Sequence, residues 1–135
     1  MPLIGGAAPV ARLDVALDQV RSTRGLLRVC LTADPANFPS CVDDADAAVR
    51  SVPAGQRLVS FTGLPRGTYA VAVIHDENGN QRLDTFAGIP REGFGFSRNP
   101  ALRFGPPHFT AARFALGTGG AGDAERQQVR MRYIL

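Results

Sequence analysis

Residues 57–74 read RLVSFTGLPRGTYAVAVI, and this stretch decides the class of fold. Val59 and Phe61 alternate with other residues in the period of a half-buried strand. The sequence GLPRG that follows predicts a turn, because proline presets one backbone dihedral and glycine tolerates the next. Thr68–Ile74 is apolar on both faces, which is typical of the central strand of a sandwich. The stretch therefore predicts two strands separated by a tight turn.

Alternating patterns continue toward the N-terminus. Apolar and polar residues alternate over residues 12–18 and again over 26–31, which predicts two more strands. Thr23-Arg24-Gly25 lies between them and favours a turn, so we expect these two strands to pair as a hairpin. Residues 47–52 form a weaker strand candidate.

Toward the C-terminus, a long segment of irregular sequence separates the central strand from the last ones. It runs from His75 to about His108, and such long excursions are usually functional. Strands are predicted over 109–116 and around 129–133, with a glycine-rich turn at 117–122. No segment has the pattern of an amphipathic helix. The sequence therefore predicts an all-β fold, an antiparallel β-sandwich of about seven strands with one long ordered loop.

Length and composition fit one domain. The chain has 135 residues, of which 44% are hydrophobic and 20% charged, so it is not a disordered, highly charged chain. We expect a flexible segment over residues 1–9 and a single sandwich domain over 10–135. No apolar run approaches the roughly 18 residues of a membrane span. All 15 basic residues are arginines and they are scattered among 12 acidic ones, which argues against a nucleic-acid-binding protein.

Two cysteines bear on the cellular compartment. Cys30 and Cys41 are either a disulfide or two reduced thiols, and we expect the disulfide, which implies an oxidising compartment. The N-terminal sequence MPLIGGAAP lacks the basic region of a signal peptide. Either the protein is cytosolic or the chain is a mature form whose leader has been removed. The cysteines favour the second, and hence a periplasmic or extracellular location.

Residues 75–84, HDENGNQRLD, form an acidic segment that resembles the first part of an EF-hand calcium loop. Calcium prefers oxygen ligands, and alternate residues of such a loop project oxygens inward. Side-chain oxygens fall at loop positions 1, 3, 5 and 9, which are Asp76, Asn78, Asn80 and Asp84. Position 7, whose backbone carbonyl is a ligand in such loops, is Arg82.

The match to the calcium loop is incomplete. Position 6 is Gln81 rather than glycine, and position 12 is Ala87 rather than a bidentate glutamate. Glu92, Glu77 or water would have to complete the shell. We expect modest affinity for calcium, with a dissociation constant of about 10⁻⁴ to 10⁻³ M. The alternative is a metal-free series of turns in which Asp and Asn side chains bond their own backbone.

A glycine- and phenylalanine-rich stretch follows the acidic segment. Six of the eight phenylalanines lie between Phe86 and Phe114. They either pin the long loop to the sandwich as a satellite core or form a binding surface. Gly93 and Gly95 mark either positive φ angles or close backbone contacts. The candidate binding residues are Phe94, Phe96 and Phe104.

Catalytic residues are not evident in the sequence. Only His75 and His108 could act as imidazole bases, and Ser60 and Ser97 lie in no GxSxG elbow. The acidic residues fit a metal loop better than a pair of catalytic carboxylates. We therefore expect a protein without enzymatic activity, in which His75 buttresses the acidic segment.

The two adjacent motifs HDENGNQRLDT and GIPREGFGFSRN resemble the pattern of a family of small, secreted, uncharacterised bacterial proteins. The sequences FTGLPRGTYAVAVIH and RFGPPHFTAARFAL resemble it too, so the similarity covers roughly residues 10–135. The resemblance implies a β-sandwich like that of transthyretin or of carboxypeptidase regulatory domains, and export from the cytoplasm. The family's acidic loop corresponds to Asp76, Asn78, Asn80 and Asp84, and its glycine-aromatic stretch to 93–99. Arg91 replaces a lysine that is common in the family.

These observations lead to one main hypothesis and two alternatives. The main one is an exported, non-catalytic module with a calcium-stabilised loop, which binds a partner or serves as a structural element at the cell envelope. One alternative is a subunit that self-associates through strand edges. The other is a carrier of a small apolar ligand that uses the Phe-rich loop.

Overall fold

The two strands predicted within residues 57–74 lie in different sheets of a β-sandwich. This arrangement comes from a computed structural model, which describes residues 10–39, 41, 48–78, 85–86, 89–90, 92–102, 105–117 and 124–134. The predicted flexible segment 1–9 lies outside the described residues. In chain order the strands are β1 (Val10–Asp18), β2 (Leu26–Thr32), β3 (Ala48–Pro53), β4 (Leu58–Pro65), β5 (Gly67–Asp76), β6 (Thr85–Phe86), β7 (Ile89–Pro90), β8 (Gly93–Phe96), β9 (Phe114–Leu116) and β10 (Ala124–Arg130).

The first sheet has the order β10–β1–β4 and the second has the order β3–β2–β5–β8. β9 pairs with the beginning of β5, and β6 and β7 pair with each other. The prediction of an all-β sandwich is confirmed. One pair departs from the antiparallel expectation, because β10 runs parallel to β1.

The predicted hairpin between β1 and β2 is wrong. β1 lies in the first sheet and β2 in the second, so they face each other across the core. Leu13 of β1 and Leu27 of β2 are both completely buried. Residues 19–25 connect the two sheets, which lie about 10 Å apart in a sandwich. Alternation in a sequence fixes which face of a strand is buried, but it does not fix the neighbour with which the strand pairs.

β5 is buried on both faces, as its apolar sequence predicted. Its inward side chains, including Val71 and Val73, contribute to the main core between the sheets. Its outward side chains, Ala70 and Ala72, lie under a second cluster that we call the outer core. Further members of the outer core are Phe38, Phe94, Phe96, Leu102, Phe109 and Ala112.

Two segments predicted from the pattern have a different structure. The sequence pattern predicts one strand over residues 109–116, but Phe109–Ala112 is a single helical turn, α1, and of this stretch only β9 forms a strand. Phe109 and Ala112 are three residues apart, so one turn of helix points both into the outer core. The sequence predicts an irregular conformation for residues 93–96, which instead form β8 at the edge of the second sheet.

The predicted disulfide is confirmed. Cys30 of β2 is bonded to Cys41, and their Cα atoms are 6.4 Å apart. The bond holds the short helical turn Pro35–Asn37 and the following residues against the second sheet. Phe38 in this segment packs edge-on against Phe96 and Phe109 of the outer core, with ring centroids 5.9 and 6.0 Å apart. The disulfide therefore holds residues 35–38, which we call the cover, over the outer core.

Candidate functional site

The connection between β5 and β8, which contains the acidic segment, begins and ends at one end of the second sheet. β5 ends with His75 and Asp76, which are both 0% exposed, and Glu92 directly before β8 is 4% exposed. His75 and Gly93 are opposite each other in the antiparallel β5–β8 pair. The connection between these strands therefore has a buried carboxyl side chain at each of its two ends.

Glu77 anchors the start of this connection to residues 21–24. Its carboxylate accepts hydrogen bonds from the Arg21 guanidinium at 2.5 Å, the Ser22 hydroxyl at 2.7 Å and the Arg24 guanidinium at 3.1 Å. The bond from Arg21 is the main cause that lowers the pKa of Glu77 to about 2, and the bond from Ser22 adds to it. Because these groups hold the Glu77 carboxylate, Glu92 is the better candidate to complete a calcium shell.

Glu92 joins the two ends of the connection. Its Oε2 atom accepts a hydrogen bond of 2.8 Å from the backbone N–H of Glu77. That N–H belongs to the peptide bond between Asp76 and Glu77, so the Glu92 carboxylate lies beside the end of β5. Buried carboxylates are stable only where hydrogen bonds or cations compensate the loss of water. The arrangement brings two of the predicted ligands, Asp76 and Glu92, to the same end of the sheet.

His75 is held in place by contacts of both ring nitrogens. Its Nε2 atom lies 2.8 Å from the backbone oxygen of Arg24, and because a carbonyl oxygen only accepts, Nε2 donates this hydrogen bond. Its Nδ1 atom lies 2.7 Å from the Tyr133 hydroxyl. The Tyr133 oxygen in turn accepts from the backbone N–H of Arg21 at 3.2 Å. His75 thus ties β5 to residues 21–24 and to the C-terminal segment.

Tyr133 fills the space beside β8. The Arg21 guanidinium lies 4.5 Å from the centre of its ring, and burial raises the pKa of its hydroxyl. A Cβ atom at Gly93 would lie 2.2 Å from the Tyr133 ring, and one at Gly95 would lie 2.6 Å from Val129. Of the two interpretations of these glycines, close contact is confirmed. Their lack of side chains lets the first sheet and the C-terminal segment approach β8.

The remaining predicted calcium ligands are only partly described. Asn78 lies among the described residues, whereas Asn80, Arg82 and Asp84 lie outside them. Within the described part of the chain, no group of three or more His, Cys, Asp or Glu residues could hold a metal ion. Calcium binding therefore stays a prediction.

The predicted binding phenylalanines belong to the outer core. Phe96 is 8% exposed, Phe94 is half-buried, and their ring centroids are 6.0 Å apart. Phe104 lies outside the described residues. A binding role for these three side chains stays a prediction, and Phe94 is the described one that solvent reaches more readily.

Sequence reasoning missed the residues that hold the site from other parts of the chain. Arg21 is separated from Glu77 by 56 positions, and Tyr133 is separated from His75 by 58. Arg21, Ser22 and Arg24 have the composition of an ordinary polar turn, so no local pattern marks them as partners of Glu77.

Comparison with known proteins places the chain in a bacterial family. The model of a family described as an uncharacterized protein conserved in bacteria (DUF2141) matches residues 15–123. The chain belongs to this family. Membership in DUF2141 confirms the bacterial family of unknown function that the motifs indicated, and the transthyretin-like relationship stays a prediction. No curated protein and no solved structure matches the chain. No helix in the described ranges is long and apolar enough to cross a membrane.

Proposed function

We propose that the domain is an exported, non-catalytic binding module whose acidic segment is ordered by calcium. The observation that carries this proposal is the pair of buried carboxyl side chains, Asp76 and Glu92, at the two ends of the β5–β8 connection. Calcium takes about six to eight oxygen ligands, and the segment between these ends is rich in Asp and Asn. Asp76, Asn78, Asn80, Asp84, Glu92 and the Arg82 carbonyl would hold the ion, which would cross-link the connection.

Export is supported by the disulfide. Cys30–Cys41 fastens the cover of the outer core, and such bonds persist in oxidising compartments. A periplasmic or extracellular domain would also meet calcium at concentrations that match a site of modest affinity. The compartment and the ion therefore agree with each other.

A non-catalytic role is supported by the way in which the candidate catalytic groups are used. Both ring nitrogens of His75 are bonded within the fold, and the ring is 0% exposed. The Ser97 hydroxyl is also 0% exposed and donates to the backbone oxygen of Ala112 at 2.6 Å. Each group stabilises the fold and is closed to a substrate in solution.

The calcium proposal is tested by thermal unfolding of the oxidised protein in EDTA, in calcium and in magnesium. With a dissociation constant of about 0.3 mM, about 10 mM calcium stabilises the folded state by roughly 2 kcal/mol. We expect a rise in melting temperature of roughly 6 °C with calcium and a much smaller rise with magnesium. Asp84→Asn should remove most of the rise.

Asp14→Asn is the matched control for this experiment. Asp14 lies in the first sheet, where it bonds Ser60 and Arg12, so its loss should leave the calcium-dependent rise intact. An equal rise in Asp84→Asn and in the unmodified protein would contradict the proposed ligand set. The absence of any rise with calcium would leave the acidic segment as a series of hydrogen-bonded turns.

A second candidate function, a carrier of a small apolar ligand, is favoured by a cleft of about 650 Å³ in the described part of the molecule. Its lining includes Leu31, Ala48, Leu64 and Tyr69, so it lies away from the Phe-rich stretch on which the carrier hypothesis was based. Native mass spectrometry of the purified protein would support a carrier if it shows a copurified ligand, and Leu64→Arg should then abolish the additional mass.

A further inference from the structure

The strand edges on one side of the sandwich are capped. At β10, the Asn99 side chain donates to the backbone oxygen of Gln128 at 2.9 Å and accepts from the backbone N–H of Arg130 at 2.8 Å. At β8, Phe94 and Arg132 exchange two backbone hydrogen bonds of 3.0 and 2.8 Å. Backbone groups that could pair with another chain are therefore used within this one.

The edge of β4 is also interrupted. The Gln56 side chain donates to the backbone oxygen of Leu58 at 2.9 Å. Further along, Thr62 and Gly63 are opposite the single residue Arg12, which makes a bulge, and Gly63 has a φ of +67°. Bulges twist an edge strand away from a straight ladder and so oppose the addition of another strand.

The edge of β3 differs from these three. Within the described residues, β3 pairs only with β2. The backbone N–H of Ala54 donates to the oxygen of Gly25, so the alternation of an antiparallel ladder turns the N–H and C=O groups of Val49 and Ser51 away from β2. Val49 is 45% exposed and Ser51 is also exposed. These groups are available to a further strand.

Arg50 gives this edge a specific chemistry. It is opposite the buried Val29, and its guanidinium lies 5.2 Å from the centre of the Phe61 ring, so it points toward the space between the sheets. In the described part of the chain, no carboxylate forms an ion pair with it. Ala48 and Val52 lie on the same face at either side and are half-buried. The edge therefore presents one cation between two apolar positions.

We propose that β3 is the docking site for an extended, acidic segment of a partner protein. The segment adds as an antiparallel strand and bonds the outward groups of Val49 and Ser51. Its residue opposite Arg50 is Asp or Glu, and the residues two positions away on either side are apolar and lie opposite Ala48 and Val52. An inward-pointing charge on an edge strand opposes apolar strands, and here it selects a strand that brings the opposite charge.

A second copy of this chain fits the edge less well. Two copies of β3 can pair symmetrically so that the backbone groups of both Val49 and Ser51 form hydrogen bonds. In this register the two copies of Arg50 lie directly opposite each other, and like charges in that position are unfavourable. Moving the centre to Ser51 places Val49 opposite Pro53, which has no N–H to donate. The charge of Arg50 thus favours an acidic partner over self-association.

This inference deepens the proposed binding role and rests on it, but it does not depend on calcium. The probe is the labelled heptapeptide TVSESVT with blocked ends, titrated with the domain and followed by fluorescence anisotropy in EDTA and in calcium. Exchange of its glutamate for arginine should weaken binding at least fivefold. Arg50→Glu should reverse this preference, and Ser51→Pro, which removes one outward N–H, should reduce binding at least tenfold.

Circular dichroism shows whether each variant remains folded. Equal binding of the Glu and Arg peptides, or equal binding to the unmodified domain and a folded Ser51→Pro variant, overturns the proposal. A β3-dependent dimer with no peptide binding overturns it in favour of a second copy. If the peptide fails to bind while calcium still raises the melting temperature, strand addition is wrong and the calcium-ordered module is not affected.

Discussion

Glu77 makes the stability of the domain depend on pH. Its pKa in the folded protein is about 2, below the ordinary value of 4.5, chiefly because Arg21 donates to its carboxylate. The stabilisation is therefore complete above about pH 5 and is lost as the pH falls toward 2. We expect it to be roughly 2 kcal/mol, since the two arginines are partly exposed and solvent screens them.

The measurement is the free energy of unfolding in urea at about pH 7 and pH 3, with EDTA present so that calcium does not contribute. Glu77→Gln should be less stable than the unmodified protein at the higher pH and nearly as stable at the lower one. Glu125→Gln is the control, because within the described part of the chain this carboxylate on β10 accepts a hydrogen bond only from the Gln127 side chain. A pH dependence unchanged by Glu77→Gln would contradict the assignment.

Gly95 is required by close packing rather than by its backbone conformation. A Cβ atom there would lie 2.6 Å from Val129 and 3.0 Å from the sulfur of Met131, and both side chains belong to the main core. We expect Gly95→Ala to lower the free energy of unfolding by about 1–3 kcal/mol through overpacking.

Gly55→Ala is the matched control for this substitution. The nearest heavy atom to a Cβ at Gly55 is 3.9 Å away on Thr23, so the change should alter stability by less than about 1 kcal/mol. Urea unfolding of the two variants shows whether the loss of stability comes from the steric contact at Gly95 or from the replacement of any glycine by alanine. Equal effects at both positions would show that contact with β10 is not the reason for Gly95.

At the scale of elements, the disulfide and the outer core act together. The Cys30–Cys41 bond closes a short loop that carries Phe38 over Phe96 and Phe109. Replacement of both cysteines by serine should lower the free energy of unfolding by about 3 kcal/mol, mainly by releasing a constraint on the unfolded chain. Unfolding of the oxidised protein, the reduced protein and the double serine variant checks this.

The reduced protein and the serine variant should unfold at nearly the same urea concentration. Phe38→Leu is the control, since it keeps the disulfide and changes only the packing of the cover. If the loss of the disulfide lowers the free energy of unfolding no more than Phe38→Leu does, the loop is held by its aromatic contacts and the disulfide contributes little to stability.

The strands were predictable because alternation is a local property, whereas their partners were not. The pattern of β5 predicted burial on both faces, but nothing local shows that β1 pairs with β10 rather than β2. The alternation of glycine and phenylalanine in β8 does not by itself predict a strand, because glycine is depleted in most strands. Its glycines face Tyr133 and Val129 while its phenylalanines enter the outer core.

The candidate site was predictable only in its chemistry. Asp76 and Glu92 could be named from residue type and spacing, and the structure places both at one end of the second sheet. The contacts from Arg21 and Tyr133 depend on the approach of segments more than 50 positions apart, as the separations of 56 and 58 show. Such contacts follow from the topology and leave no local pattern.

On the scale of the whole molecule, the two sides of the sandwich differ. The side formed by β8 and β10 is closed by Asn99 and by the pairing of Phe94 with Arg132, while the opposite side ends in β3 and β4. A molecule with one protected side and one open edge can bind a strand in a single place without forming fibres, because further growth needs a second free edge.

We therefore expect the Asn99 side chain to oppose association of the domain through β10. Both Arg98 and Asn99 have left-handed φ angles, 65° and 47°, but of the two only Asn99 is bonded to the β10 backbone. Asn99→Gly keeps the backbone conformation and removes the cap from Gln128 and Arg130. We expect this variant to form concentration-dependent oligomers, measured by size-exclusion chromatography with light scattering, at concentrations where the unmodified domain shows none. Arg98→Gly is the control and should behave as the unmodified domain, whereas association of both variants would assign the effect to the turn rather than to the cap.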